Sequence, residues 1–169
     1  CLMHDCGHAP FSHTFEEFYN YAEATTANRA YQLLQEEFPD ADFKVEGSFD
    51  PAPHEALSAV VLNRFYKDKL GKYGCDTELA ARMITGCTYP DESSQEKCIA
   101  NRLIELLNGK AIDVDKLDYI LRDTWASGVQ NTAIDIDRLV SSVILHPGSD
   151  ENAHLCFRKS ALSVLQNVV

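Results

Sequence analysis

The sequence predicts a mainly α-helical protein with one small β-hairpin near its C-terminal end, and three observations support this fold class. Apolar residues recur at helical spacing through most of the chain. Ser, Thr or Asp residues precede these runs and glycines follow them, as at the ends of helices. Two short apolar segments, SSVILH and AHLCFRK, flank the turn-rich stretch PGSDEN, which is typical of a hairpin.

Each helix has its own start and stop signals. The segment PHEALSAVVLNRFYKDKL predicts a helix from Pro53, with proline suited to the first turn, to about Gly71. The pair Ser93 and Glu96 has capping-box spacing and predicts a helix that ends before Gly109. Further helices are predicted after the capping-box pair Thr14 and Glu17, from Asp76 or Thr77 through ELAARMITG, from about 113 to 126, from Asp135, and from Ser160.

Length and composition limit the function classes. A chain of 169 residues predicts one domain with enough length to bury a core. No apolar run approaches the length of a membrane span and no secretion leader is visible, so a cytoplasmic protein is expected. The ends CLMHD and SVLQNVV look like interior segments, which predicts a fragment, residues 1–169, of a larger protein.

Charge and cysteine spacing exclude two further classes. The formal net charge of −11 argues against strong binding to a nucleic-acid backbone, which needs a basic surface. The six cysteines form no CxxC pair, so neither a zinc knuckle nor a dithiol redox motif is predicted.

The opening stretch HDCGHAPFSH, from His4 to His13, concentrates three of the six histidines beside an aspartate. Gly7 and Pro10 prevent one smooth helix here, so the chain is expected to turn. Adjacent imidazole and carboxylate at such a break are suitable ligands for borderline metals. A lone His-Asp pair, however, is more often without a metal.

A second cluster of charge, AIDVDKLDYILRD, lies on the helix predicted near residue 113. Asp115, Asp118, Tyr119 and Arg122 share one side of this helix, and Lys116, Tyr119 and Asp123 lie on the neighbouring stripe. It lacks the glycine and terminal glutamate of a calcium loop. A solvated charged face is the alternative interpretation, but the apolar residues between the charges predict that some of the charges face a cavity.

Together, HDxGHxPFSH, DVDKxDYxxRD and the downstream GVQN resemble the HD-domain phosphohydrolases, and among them the deoxynucleoside triphosphate triphosphohydrolases. The resemblance implies an HD-domain helical bundle. It implies that His4, Asp5 and Asp115 bind a divalent metal, with Mn, Fe, Co, Ni, Zn or Mg as candidates. The family's first histidine ligand lies upstream of this motif, so three protein ligands of the set are present in this chain.

The resemblance also assigns roles beyond the metal. His8 and His54 resemble the family's catalytic histidines, and Glu16 stands where some members have an aspartate that orients an imidazole. The substrate contacts it implies are Lys116 to the α-phosphate, and Tyr119 and Asp123 to the deoxyribose. His13 either closes its loop by hydrogen bonds or contacts phosphate.

The implied reaction is metal-dependent hydrolysis of a dNTP at the α-phosphorus, which releases deoxynucleoside and inorganic triphosphate. In it the metal would activate water or polarise the phosphoryl oxygen, while a histidine would protonate the leaving 5′ oxygen. A homo-oligomer is implied as well. Two alternatives stay open: another HD phosphohydrolase, acting on nucleoside monophosphates or cyclic nucleotides, and a non-catalytic sensor or oligomerisation module. His146 and His154 are expected to be exposed residues beside the hairpin turn.

Overall fold

The computed structural model describes residues 2–11, 14, 25–43, 51–91, 93–108, 114–128, 134–147 and 153–166. These residues are mainly helical, with a two-stranded antiparallel hairpin near the C-terminal end, which confirms the predicted fold class. The chain divides into two compact units, Cys1–Pro90 and Asp91–Val169. The single HD-type domain expected from the sequence stays a prediction.

In the first unit, the helix expected from Pro53 to Gly71 is present, but it has an irregular middle. The helical elements of this unit are α1 (Thr25–Glu37), α2 (Pro53–Val61), a π-helical turn (Leu62–Tyr66), α3 (Lys67–Gly71) and α4 (Thr77–Thr85). A π turn holds more residues per turn than an α turn, and periodicity alone does not reveal it. The helix therefore changes phase between α2 and α3.

The ends of α2 and α4 follow the predicted start and stop signals. Pro53 occupies the first turn of α2, and the Glu55 carboxylate accepts a hydrogen bond of 2.8 Å from the Ala52 N–H. Asp76 caps α4 by accepting from the amides of its first turn, and Gly86 ends the helix in the left-handed conformation with φ of 69°. Both helices thus begin at defined residues.

The core of the first unit lies where α1, α2 and α4 pack together. Leu34 on α1, Ala59 on α2 and Ala81 on α4 are fully buried, and Phe43 from the segment after α1 joins them. Burial of this apolar surface fixes α2 between two neighbours. Since His54 lies in the first turn of α2, the same packing positions that histidine.

Two buried polar side chains bind the surrounding segments. The Arg82 guanidinium, 2% exposed, lies between the rings of Phe43 and Tyr89 and donates to the carbonyls of Asp42 at 2.9 Å and Thr88 at 3.0 Å. Its Nε atom also forms an ion pair of 2.9 Å with the Glu78 carboxylate, one helical turn away. The sequence shows this residue only as one charge on an amphipathic helix.

Asn63, in the π turn, is another of the buried polar residues. Its amide group donates to the Glu37 carboxylate at 3.2 Å and accepts from the Thr77 hydroxyl at 3.2 Å. Arg64 next to it also pairs with Glu37. The π turn is thereby joined to the end of α1 and the start of α4.

The second unit contains helices around the hairpin. Its elements are α5 (Gln95–Leu107), α6 (Val114–Ser127), α7 (Ile136–Ser142), β1 (Val143–Pro147), β2 (Ala153–Phe157), a 3-10 turn (Lys159–Ala161) and α8 (Leu162–Leu165). Val143 pairs with Phe157 at one end of the ladder. Leu139, Ala161 and Val164 form a small core behind it.

Three predicted boundaries differ from the structure or lie outside the described residues. Ser94, not Ser93, caps α5, because its hydroxyl accepts from the Lys97 N–H at 3.2 Å. The last helical segment begins at Lys159 as a 3-10 turn, one residue before the predicted Ser160. Two of the predicted end signals, Gly109 and Glu17, lie outside the described residues, so the capping pair of Thr14 with Glu17 stays a prediction. Within the part of the chain that the structure describes, no helix has the length and apolar character that crossing a bilayer requires.

Candidate active site

Residues 2–11, which contain His4, Asp5 and His8, turn the chain as predicted and form no helix. The amide of Cys6 donates to the Met3 carbonyl at 3.3 Å, and the amide of His8 donates to the Asp5 carbonyl at 3.0 Å. Phe11 then adopts a positive φ of 67°. These turns bring the Asp5 carboxylate close to the side chains of both His4 and His8.

Gly7 places this turn directly on helix α2. Its amide donates to the Ser58 hydroxyl at 2.8 Å. A Cβ atom on Gly7 would lie 2.3 Å from the Ser58 amide nitrogen and 2.6 Å from the Leu57 carbonyl carbon, so a side chain has no space here. Backbone lies against backbone at this point, and the position requires glycine for this close approach.

Ser58 holds the turn at a second point, through its backbone. The Cys6 thiol donates to the Ser58 carbonyl at 3.4 Å, and burial raises the pKa of that thiol above its ordinary value. A raised pKa keeps the thiol protonated at neutral pH, so it stays a hydrogen-bond donor rather than a nucleophile. Ser58 was not predicted as a functional residue, because its role depends on a contact between segments 51 residues apart.

The main result of this contact is a pair of stacked histidines. The rings of His8 and His54 lie 4.2 Å apart between centroids, with an angle of 15° between their planes. His8 comes from the opening turn and His54 from the first turn of α2. Both are half-buried, and the Nδ1 atom of His8 is shielded from solvent. The two histidines predicted to be catalytic are therefore neighbours.

Asp5 completes a group that can hold a metal ion. One ligand atom from each of Asp5, His8 and His54 lies within 4.8 Å of the other two. Imidazole and carboxylate donors suit Zn²⁺ and other first-row divalent ions. Asp5 is exposed, so it can move toward an ion with little cost. By donor type and spacing, Asp5 together with an imidazole fits a divalent metal.

His4 lies beside the same carboxylate. Its Nε2 atom is 3.4 Å from Asp5 Oδ2, and this nitrogen is shielded from solvent. Two ligands at about 2.1 Å from one tetrahedral ion lie roughly 3.4 Å apart, so this spacing also fits shared coordination. The Asp5 carboxylate is thus close both to His4 and to the stacked pair.

The other predicted site residues lie in the second unit, on helix α6. Asp115 and Lys116 are half-buried, Tyr119 is 43% exposed, and Asp123 is exposed. Lys116, Tyr119 and Asp123 follow one another at helical spacing and share a stripe of α6. The residues predicted to bind phosphate and sugar are thus aligned on one helix.

The packing predicted for α6 is only partly correct. No residue of this helix, all of which the structure describes, is buried. Asp118 and Arg122 form an exposed ion pair one turn apart, as expected of a solvated face. Leu117 contacts the small core of the second unit, which fixes one side of the helix. The remaining predicted site residues, His13 and Glu16, lie outside the described residues.

Comparison with known proteins gives relatives but no family model that matches the chain. It is 30% identical over 142 residues to a protein named deoxynucleoside triphosphate triphosphohydrolase SAMHD1 homolog, from Dictyostelium discoideum; the match covers 82% of this chain and 22% of that protein. It is 27% identical over 143 residues to the uncharacterized protein MG461 homolog of Mycoplasma pneumoniae, covering 84% of this chain and 27% of that one.

A third relative is the uncharacterized protein YwfO of Bacillus subtilis, which is 23% identical over 168 residues, 99% of this chain and 29% of that protein. The chain thus spans about a quarter of the length of the curated relatives it matches. The name of the Dictyostelium protein is that of a hydrolase of deoxynucleoside triphosphates, and this chain is a distant relative of it.

Proposed function

We propose that this chain is the catalytic region of an HD-type, metal-dependent phosphohydrolase that cleaves dNTPs at the α-phosphorus to deoxynucleoside and inorganic triphosphate. The observation that carries the proposal is the meeting of Asp5, His8 and His54, which combines a candidate metal ligand with two imidazoles. The substrate class rests on the name of the Dictyostelium relative and on the motif around Lys116.

Within the group, ring geometry favours a division of roles. Imidazole binds a metal along the lone pair in its ring plane, and the planes of His8 and His54 are nearly parallel. Two parallel planes do not converge on one ion, so the stacked pair is poorly oriented to share a metal. His4 and Asp5, whose side-chain atoms lie 3.4 Å apart, are better spaced for that. Asp115 is the third ligand that the family resemblance implies.

A divalent metal held by these residues would supply Lewis acidity toward a phosphoryl oxygen or a bound water. The stacked pair is then available for proton transfer. Imidazole is a common general acid in enzymes, so either ring can donate a proton to the 5′ oxygen of the leaving deoxynucleoside. Stacking holds the two rings face to face, and the proton donor therefore has a fixed orientation without a bond to the metal.

The α6 stripe supplies the substrate contacts of the proposal. The ammonium of Lys116 offsets negative charge on the non-bridging oxygens of the α-phosphate. Tyr119, one turn on, offers a ring and a hydroxyl to the deoxyribose, and Asp123 accepts a hydrogen bond from a sugar hydroxyl. The exposure of Tyr119 and Asp123 leaves them accessible to a ligand.

The test measures inorganic triphosphate released from each dNTP in Mn²⁺ or Co²⁺, on the longest natural protein that contains this chain, with metal content measured in parallel. Asp115→Ala should lose both metal and activity. His54→Asn should retain metal and lose about 10²- to 10⁴-fold in kcat, the range of general acid catalysis. Asp118→Ala, on the same helix, is the matched control and should retain activity.

Each other result points to a stated alternative. A protein that binds metal and hydrolyses a nucleoside monophosphate or a cyclic nucleotide, but no dNTP, is a different HD phosphohydrolase. A protein that binds no metal and hydrolyses none of these is a non-catalytic module. If His54→Asn loses metal along with activity, His54 is a ligand and the proposed division of roles is wrong.

A further inference from the structure

Two histidines face each other across the hairpin of the second unit, and the proposed reaction uses neither of them. In the antiparallel register His146 on β1 is paired with His154 on β2. Directly opposite residues of two strands project to the same side of the sheet. Both histidines are exposed. Two imidazoles thus stand side by side on an accessible face.

The hydrogen-bond pattern fixes how far apart they are. The Arg158 amide donates to the Ser142 carbonyl at 2.9 Å, which makes 142 and 158 a hydrogen-bonded pair at the end of the ladder. Hydrogen-bonded pairs alternate with non-hydrogen-bonded pairs along an antiparallel ladder. His146 and His154 lie four pairs beyond 142 and 158, an even number, so they form a hydrogen-bonded pair too. Pro147, which has no amide hydrogen, then falls at a position that needs no donor.

This spacing suits two ligands of one metal ion. The α-carbons of a hydrogen-bonded pair lie about 5.5 Å apart, and their β-carbons lie about 4.5–5.5 Å apart. Two nitrogens on one tetrahedral ion lie roughly 3.4 Å apart, so each ring has to lean inward by about 1 Å at most. Rotation about the side-chain bonds of exposed residues allows that, and the strand backbones do not have to move.

We propose that His146 and His154 form a two-histidine site for a late first-row divalent ion such as Zn²⁺, Ni²⁺ or Cu²⁺, with water in the remaining positions. Imidazole is a borderline ligand that these ions prefer over Mg²⁺ or Ca²⁺. A bound ion joins the two strands near the turn and stabilises the hairpin. This site belongs to the second unit and does not depend on the proposed phosphohydrolase function.

Cys156 provides the matched control. It lies on the same face of β2, two residues after His154, and is a free, half-buried cysteine. Among the described residues, the group of three potential ligands within mutual reach is that of Asp5, so the thiol is not gathered with the two imidazoles. We therefore assign two protein ligands to the hairpin site and none to Cys156.

The experiment is a Zn²⁺ titration followed by the side-chain nitrogen resonances of each histidine, which separates the hairpin site from any binding near Asp5. We expect the resonances of His146 and His154 to shift together, with one midpoint. In His154→Gln the midpoint for His146 should rise by about tenfold or more, because one bond of the chelate is lost. Cys156→Ser should leave the midpoint unchanged.

Two results would overturn the proposal. The first is different midpoints for the two histidines of the unaltered protein, a result that needs no variant. The second is an unchanged His146 midpoint in His154→Gln while the amide resonances of Leu145 and Leu155 show an intact hairpin. Triphosphate release is measured separately, so failure of this site leaves the proposed reaction intact, and the reverse also holds.

Discussion

Replacing Gly7 by alanine tests whether close contact with α2 builds the histidine pair. The added Cβ would lie 2.3 Å from the Ser58 amide nitrogen, about 1 Å closer than ordinary van der Waals contact allows. Both partners are backbone atoms, so a side-chain rotation cannot relieve the clash, and the opening turn has to move away from α2. His8 moves with it, and its stacking on His54 at 4.2 Å is lost.

Two quantities should change in Gly7→Ala. Overpacking of this kind costs about 1–3 kcal/mol in the free energy of unfolding, which urea unfolding measures. A displacement of about 1 Å in a catalytic group lowers kcat by roughly 10²-fold, which the triphosphate-release assay measures. The ring resonances of His8 and His54 report the loss of stacking directly.

Gly71→Ala is the matched control for that variant. Nothing lies within 4 Å of a Cβ added at Gly71, the last residue of α3. The change should leave activity unaltered and stabilise the protein by about 0.5–1 kcal/mol, because alanine restricts the unfolded chain more than glycine does. The reasoning is refuted if Gly7→Ala matches Gly71→Ala in stability, activity and histidine resonances.

Three more predictions concern stability and thiol reactivity. Arg82→Lys should lower the free energy of unfolding by about 2–4 kcal/mol, because lysine leaves buried carbonyls without a donor. Arg29→Lys, in an exposed ion pair, should change that free energy by at most about 0.5 kcal/mol. Equal effects of the two variants in urea unfolding would contradict this. Iodoacetamide should modify exposed Cys75 in the folded protein and buried Cys87 only on unfolding, because burial raises the pKa of Cys87, and mass spectrometry of the labelled peptides checks it. Hydrogen bonds from Ser93, and then from Lys97, lower the pKa of Asp91. The contribution of this carboxylate to stability is therefore present at neutral pH and is lost as the pH falls through the folded-state pKa. A midpoint at or above 3.8 in an NMR titration of the carboxyl group would contradict this.

Local signals predicted the helices well because helix ends depend on a few adjacent residues. Asp76 before α4, Gly86 after it and Pro53 at the start of α2 act through their own backbone neighbours. The shift from Ser93 to Ser94 shows the limit of this approach, since adjacent serines offer the same hydroxyl at two registers. The choice between them depends on packing that the local sequence does not show.

The candidate site was predicted in part for the same reason. The motif places His4, Asp5 and His8 within five residues, so the proximity of Asp5 to each histidine follows from the sequence alone. The contact of His8 with His54 spans 46 positions, and it came from family resemblance rather than from spacing. Gly7 was predicted as a helix breaker, but the structure shows a steric reason, the approach to Ser58, that only tertiary packing provides.

The π turn has a consequence for how this protein can evolve. The Asn63 NH₂ group donates to the Glu37 carboxylate, and its carbonyl oxygen accepts from the Thr77 hydroxyl. The amide therefore has one orientation that makes both hydrogen bonds. An aspartate at position 63 would place a second carboxylate against that of Glu37. A leucine would remove the hydrogen bonds to the Glu37 carboxylate and the Thr77 hydroxyl. We expect Glu37, Asn63 and Thr77 to covary among homologues, inherited as a set or replaced as a set, although they lie on three separate segments of the chain.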